Sequence, residues 1–172
     1  MKKTLFYIST FAFLAFSHLS FAQNDQYAAF LSSLKDQPIK LLGLGIGNGD
    51  SVKFWEDYFK NGNLYFLEMN FSPIEYFSDR SLYLWTNLNN SQDLEGAILK
   101  TGCDFDVIID DGDHTANQQT VSFQTLFPYV KKGGIYLVKD PQIIDFLKNL
   151  DLAKENVQSI NFFDDMALVI KK

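Results

Sequence analysis

The hydrophobic positions of this chain fall into short runs that alternate with helical patterns, which is typical of a parallel sheet with crossover helices. Apolar runs of strand length predict strands at residues 39–44, 64–69, 82–85, 105–109 and 135–138. The segments between and before them predict helices at residues 26–34, 51–59, 92–99, 116–130 and 141–149.

The chain ends with a different pattern. Two strand-like runs, at residues 157–163 and 166–172, are separated by Asp164 and Asp165, which predicts a hairpin. A nicotinamide-binding domain would normally end in another parallel strand. We therefore expect an α/β fold, a Rossmann-like doubly wound, mostly parallel sheet with a C-terminal antiparallel hairpin.

The helix predicted at residues 116–130 has recognisable ends. Thr115 is placed as its N-cap, and Lys131 and Lys132 suit the negative end of a helix dipole. Gly133 and Gly134 follow and predict the end of the helix.

The first 22 residues are a different kind of sequence. Lys2 and Lys3 form a basic start, an apolar run extends from Leu5 to about Leu19, and Ala22 is a small residue suited to cleavage. We expect a signal peptide at residues 1–22, a single domain at residues 23–172, and export to the periplasm or outside the cell. An uncleaved membrane anchor ranks second, because polar residues weaken the apolar run.

Composition is that of one globular domain, with 172 residues, 47% of them hydrophobic and 21% charged. Removal of the signal peptide takes away two lysines and no acid, so the net charge changes from −6 to −8. This acidity argues against nucleic acid or an anionic membrane as a partner. Cys103 is the only cysteine, which excludes an intramolecular disulfide, and we expect it to be buried.

A glycine-rich loop at residues 42–51 joins the first predicted strand to a helix. Gly45, Gly47 and Gly49 let the backbone turn tightly and approach a ligand, and Glu68 ends the second strand, where a carboxylate accepts hydrogen bonds from ribose hydroxyls. The alternative is a tight turn with close helix–strand packing. The spacing lacks the last glycine of a dinucleotide site and the lysine of a P-loop, which favours the phosphate-free S-adenosylmethionine.

Acids and a histidine end the fourth predicted strand: Asp110, Asp111, Asp113 and His114. The carboxyl ends of strands in open α/β sheets are where ligands bind. These four side chains could form a divalent metal site or an acid–base pair. We expect at least one of them only to cap the following helix.

Three motifs in the second half resemble the small-molecule O-methyltransferases that include the macrolide-sugar enzymes. They are Asp-Asp-Gly-Asp-His at residues 110–114, Phe-Gln-Thr-Leu-Phe-Pro at residues 123–128 and Gly-Gly-Ile-Tyr at residues 133–136. The loop at residues 42–51 and the strand-like run at residues 159–164 are also similar to this family. The resemblance covers about residues 39–172 and implies the class I methyltransferase fold.

The resemblance also implies site residues. Gly45, Gly47 and Gly49 would line S-adenosylmethionine, and Glu68 would hold its ribose. His114 would be the general base that takes a proton from the acceptor, a sugar or other hydroxylated small molecule.

Asp111 and Asp140 would be ligands of a divalent metal, Mg²⁺, at the acceptor site. This sequence departs from the family there, because Lys139 stands where the family has a metal-binding glutamate. An ammonium removes one ligand and repels a divalent ion. We therefore expect any metal to bind weakly or not at all, with Lys139 neutralising Asp111 or Asp140 instead.

Three further departures fall on functional positions. Gly43 replaces an acid, Asn87 lies where the family has an acidic segment near the adenine, and Gln118 replaces a second histidine. The sequence thus leaves three hypotheses. The first is an O-methyltransferase, and the second is a catalytically degenerate exported binding module, since S-adenosylmethionine cannot be assumed outside the cytoplasm. The third, a metal-dependent hydrolase, leaves the glycine loop unexplained.

Overall fold

The computed structural model describes residues 30–172. The expected signal peptide at residues 1–22 and the first four residues of the helix expected at residues 26–34 lie outside these residues. Within the first unit of the chain, Ser32–Leu34 forms a single 3₁₀ turn. Residues 36–172 form a separate unit, which carries the sheet.

Seven strands form one sheet in the order β3-β2-β1-β4-β5-β7-β6. The strands are β1 (Lys40–Leu44), β2 (Asn63–Glu68), β3 (Leu82–Trp85), β4 (Phe105–Asp110), β5 (Val130–Lys139), β6 (Val157–Phe162) and β7 (Met166–Lys171). Strands β1 to β5 pair in parallel, whereas β7 runs antiparallel to β5 and to β6. The expected fold class and its C-terminal hairpin are confirmed.

Four α-helices connect the strands: α1 (Asp50–Tyr58), α2 (Ser91–Thr101), α3 (Ala116–Leu126) and α4 (Ile144–Lys148). The central strands are buried on both faces, and β4 is buried along its whole length, which explains their continuous apolar runs. Among residues 30–172, no helix is long and apolar enough to cross a membrane.

The region after α3 differs from the prediction. The helix begins after Thr115, whose side chain accepts a hydrogen bond from Gln118 N as expected, but it ends at Leu126 rather than at residue 130. Pro128, which lacks an N–H, lies in a 3₁₀ turn at Phe127–Tyr129.

Strand β5 then begins at Val130, so Lys131 and Lys132 belong to the strand and do not complement a helix dipole. Lys131 instead forms an ion pair with Asp106 of β4. Val130 pairs with Phe105, and Ile135 pairs with Val107, so the extra residues between them form an irregularity in the strand. A second prediction is also wrong: Cys103 is exposed, in the loop before β4.

Candidate functional site

The glycine loop lies where β1 ends, at the carboxyl edge of the sheet. Gly45, Gly47 and Gly49 have φ angles of 80°, 55° and 100°, a left-handed region that glycine enters without steric cost. A Cβ on Gly45 would lie 2.0 Å from Asp111 O, so this glycine lets β1 pass directly beside the end of β4.

Gly47 has the opposite environment. A Cβ built there would meet no atom within 4 Å, so the loop has open space beside an exposed, left-handed backbone. Gly49 faces the segment between β2 and β3, where its Cβ would lie 2.7 Å from Tyr76 O. The glycines therefore divide into two that permit close packing and one that borders free space.

Glu68 ends β2 and faces this loop. Its Oε2 accepts a hydrogen bond from Ile46 N at 3.0 Å, and its Oε1 accepts from Met69 N and Asn70 N, both at 2.8 Å. An ionised carboxylate has about four acceptor positions, so one remains. The carboxylate thus holds the loop and offers a single further position to a ligand, fewer than the two ribose hydroxyls that the sequence suggested.

The position that carries an acid in the resembling family is closed by packing. Gly43 pairs with Phe66 of β2, and a Cβ on Gly43 would lie 2.6 Å from Phe66 Cδ1. The phenyl ring fills the volume of the missing side chain. An acidic side chain at position 43 would therefore collide with Phe66.

The four polar residues at the end of β4 and just after it fall into two groups of two. Asp110 is fully buried and accepts hydrogen bonds from Gln118 Nε2 at 2.8 Å and Tyr136 OH at 3.1 Å. Burial raises the pKa of Asp110 to about 6, against the lowering effect of these hydrogen bonds. Asp113 accepts from Thr115 N and the Thr115 hydroxyl in the turn before α3, so it holds the N-cap residue and does not itself cap the helix, as was expected of at least one of the four.

Asp111 and His114 form the other pair and lie at the sheet edge. His114 Nε2 is 3.6 Å from Asp111 Oδ1, and its Nδ1 is 3.4 Å from Lys139 O. Since a carbonyl only accepts, this contact favours the tautomer with its proton on Nδ1, in which Nε2 can accept a proton. His114 has a φ of 54°, an uncommon conformation for a non-glycine residue.

Lys139 and Asp140 complete this cluster from the end of β5. Lys139 Nζ is 2.8 Å from Asp111 Oδ2, and Asp140 Oδ2 is 4.0 Å from His114 Nδ1. Burial raises the pKa of Asp111, and the ammonium of Lys139 opposes that rise.

The cluster does not suit Mg²⁺, which requires roughly six oxygen ligands in octahedral geometry. One oxygen of Asp111 already binds the ammonium of Lys139. Asp140, 4.0 Å from the His114 ring, adds one more carboxylate to the cluster. Within residues 30–172, no group of three or more histidine, cysteine or acidic side chains is arranged to hold a metal ion.

Sequence reasoning missed Gln119. This buried side chain donates from Nε2 to Lys139 O at 2.9 Å and accepts from Gln142 N at 2.7 Å, so it fixes the backbone on which His114 rests. No motif distinguishes it from its neighbour Gln118, which points to Asp110 instead. Asn87, another departure from the family, accepts from Asn89 N within a turn.

Comparisons with known proteins show which proteins the chain is similar to. No family model matches the chain. It is 35% identical over 127 residues to 8-demethyl-8-(2-methoxy-alpha-L-rhamnosyl)-tetracenomycin-C 3'-O-methyltransferase of Streptomyces olivaceus, covering 66% of this chain and 30% of that protein. It is 29% identical over 122 residues to mycinamicin VI 2''-O-methyltransferase of Micromonospora griseorubida, with 66% and 30% covered. The chain thus spans less than a third of the length of these relatives.

Solved structures show the same fold. The MycE methyltransferase of the mycinamycin biosynthetic pathway, in complex with Mg and S-adenosylhomocysteine, superposes with a TM-score of 0.76 at 22% identity, covering 86% of this chain and 49% of that one. A ribosomal RNA methyltransferase, putative, from Plasmodium falciparum has a TM-score of 0.63 at 15% identity, with 87% and 94% covered.

Proposed function

We propose that this chain, which belongs to the class I S-adenosylmethionine-dependent methyltransferases, methylates a hydroxyl group of a sugar or another hydroxylated small molecule. The observation that carries the proposal is the open space beside Gly47. The preceding residue, Ile46, donates its N–H to Glu68, so this carboxylate lies next to the loop. A backbone without side chains next to a carboxylate is suited to an adenosine that carries no phosphate.

The cofactor and the acceptor would bind side by side, because Gly45 packs against Asp111. When bound, S-adenosylmethionine supplies an electrophilic methyl group. His114 Nε2 takes the proton of the acceptor hydroxyl, which makes the oxygen a better nucleophile. Asp111 Oδ1, 3.6 Å away, stabilises the imidazolium that results, and Lys139 O holds the ring through Nδ1.

The sugar as acceptor rests on a relative whose name specifies O-methylation of a rhamnosyl compound. A nucleic acid is a weaker candidate, although ribosomal RNA methyltransferases share the fold. The net charge of −6 gives the chain no electrostatic attraction to phosphate backbones. Export through a signal peptide at residues 1–22 remains part of the proposal and requires a supply of cofactor outside the cytoplasm.

Cofactor binding is tested by thermal unfolding of the full chain with S-adenosylmethionine, S-adenosylhomocysteine or NAD⁺. A ligand at 100 times its dissociation constant stabilises the native state by about 2.7 kcal/mol. We expect both adenosyl compounds to raise Tm and NAD⁺ to have no effect. A Gly47→Ala variant should be less stable without ligand by roughly 1–2 kcal/mol, because alanine is strained at a φ of 55°. It should also lose most of the ligand response, because its methyl group enters the open space.

Methyl transfer is tested with radiolabelled S-adenosylmethionine and three kinds of acceptor. These are 4-nitrophenyl α-L-rhamnoside, other aryl glycosides and a ribosomal RNA fragment. Label in the glycosides supports the proposal. Label in RNA alone, or an absence of any Tm change with both adenosyl compounds, refutes it. Fractionation of cells that express the full chain, with mass determination of the product, tests cleavage after Ala22.

A further inference from the structure

The acceptor side of the site contains its own cation. Strands β4 and β5 are in parallel register with Asp110 opposite Val138, so the next residues along, Asp111 and Lys139, lie side by side. Lys139 Nζ is 2.8 Å from Asp111 Oδ2, and the two side chains are 13% and 23% exposed. The register of the sheet, and not a chance surface contact, therefore brings this ammonium to the carboxylate.

The environment of the pair explains why a cation is required there. Asp111 and Asp140 lie 3.6 Å and 4.0 Å from different nitrogens of the His114 ring, so two carboxylates flank one imidazole. The Asp111 side chain is largely removed from water, whereas that of Asp140 is half exposed. Asp111 therefore needs a nearby positive charge, since the cost of an unpaired buried charge is high. A divalent ion could supply that charge, and so can the ammonium.

We propose that the Lys139 ammonium takes the place of a divalent metal ion at the acceptor site, so that this domain binds and methylates its acceptor without metal. Lys139 neutralises Asp111 Oδ2 and leaves Asp111 Oδ1 directed to His114 Nε2. Its role is to position Asp111. We call this replacement of a metal charge by the Lys139 ammonium the exchange of charge. It is inferred from the contacts alone, whereas its consequence for methyl transfer rests on the proposed function.

The first test is a calorimetric titration of the full chain with MgCl₂ and with MnCl₂, at ionic strength held constant with NaCl. We expect no saturable heat for either metal and no rise in Tm beyond that caused by NaCl. Stoichiometric binding of either ion to the wild type overturns the proposal.

The second test restores a ligand. K139E removes the ammonium and adds a third carboxylate beside Asp111 and Asp140, so it should bind Mg²⁺ at least about tenfold more tightly than the wild type. K53E is the matched control, because Lys53 forms an exposed pair with Asp57 and the change in net charge is the same. A folded K139E variant that binds Mg²⁺ no better than K53E overturns the proposal.

If K139E does not fold, K139Q provides the test, since it removes the charge but adds none. The uncompensated Asp111 should lower the Tm of K139Q, and MgCl₂ should restore part of that loss while leaving the wild type unchanged. A K139Q variant with the wild-type Tm and no response to MgCl₂ overturns the proposal.

Binding of S-adenosylhomocysteine, measured on the same samples, separates this inference from the proposed function. A wild type that binds neither S-adenosylhomocysteine nor Mg²⁺, together with a K139E variant that gains Mg²⁺, refutes the proposed function and supports the exchange of charge. Where methyl transfer is observed, excess EDTA should leave its rate unchanged. A rate abolished by EDTA and restored by Mg²⁺ overturns the proposal.

Discussion

The two halves of the carboxyl edge of the sheet differ in the groups that form them, which are mainly backbone in one half and charged side chains in the other. The half beside β1 and β2 consists of left-handed glycines and one carboxylate that accepts three backbone N–H groups. The half beside β4 and β5 consists of charged side chains that contact one another, with Asp111 between Lys139 and His114.

This difference determines how each half responds to amino-acid substitution. Backbone shape depends on φ angles and close approach, so almost any side chain added to Gly45 would collide with Asp111. The stability of a cluster of charged side chains depends on the balance between positive and negative charges. One cation can therefore replace another without disturbing the strands. We therefore expect substitutions in the glycine half to act through sterics and substitutions in the charged half to act through chemistry and pH.

The largest effect should come from Gly45→Ala, where the two halves meet. The new Cβ would lie 2.0 Å from Asp111 O at a φ of 80°, so the loop and the end of β4 must separate. We expect a loss of at least about 4 kcal/mol in the free energy of unfolding and no binding of S-adenosylhomocysteine. Urea unfolding and calorimetry measure both.

Gly96→Ala is the control for that variant, because its Cβ meets no atom within 4 Å inside α2. It should stabilise the protein by roughly 0.5–1 kcal/mol. If Gly45→Ala unfolds like Gly96→Ala, the two halves are not packed as described.

His114→Asn should act on chemistry alone. Asparagine tolerates the left-handed backbone at this position but cannot take the proton, so turnover should fall by about 10²–10⁴-fold. The dissociation constant of S-adenosylhomocysteine should stay within about twofold of the wild-type value, because His114 lies in the other half of the site. Single-turnover kinetics and calorimetry separate the two quantities, and equal losses in both would remove His114 from the role of base.

Asp110 should give the charged half a pH dependence. Its native pKa of about 6 lies above the ordinary value of 3.8, so the native state holds its proton more tightly than the unfolded chain does. This contribution to stability is complete below about pH 4 and is lost as pH rises to about 6, with a total of up to roughly 3 kcal/mol. Urea unfolding between pH 4 and 7 measures it.

Asp110→Asn removes that proton equilibrium. The difference in unfolding free energy between the variant and the wild type should therefore shift in favour of the variant as pH rises from 4 to 6, and then stay constant. A difference that is flat across this range would mean that Asp110 ionises normally in the native state.

The smallest effect should come from Glu68→Gln. One oxygen would still accept from Met69 N and Asn70 N, while the amide NH₂ turned toward the loop loses the bond from Ile46 N. We expect S-adenosylhomocysteine to bind about 5- to 50-fold more weakly, equivalent to about 1–2 kcal/mol, with Tm only slightly lower. Unchanged affinity would mean that the remaining acceptor position of Glu68 does not serve the cofactor.

Sequence predicted most of the fold because buried parallel strands require continuous apolar runs, such as 105–109, and because Asp164 and Asp165 interrupt the final hairpin. It placed the end of α3 wrongly, since a proline at the helix end and two glycines beyond it are both compatible with termination. Only the pairing of Val130 with Phe105 shows that the residues from Val130 onward are strand.

At the site, the sequence by itself determined which residues reach the carboxyl edge, because position at a strand end follows from the order of apolar runs and loops. It determined the glycines, Glu68, Asp111 and His114 in this way. What each side chain faces depends on the tertiary structure: Asp110 is buried against Tyr136, Asp113 holds the N-cap Thr115, Gln119 holds the backbone of Lys139, and Phe66 covers Gly43. Such partners come from strands and helices distant in sequence, and register between strands, which local patterns do not encode, brings them into contact.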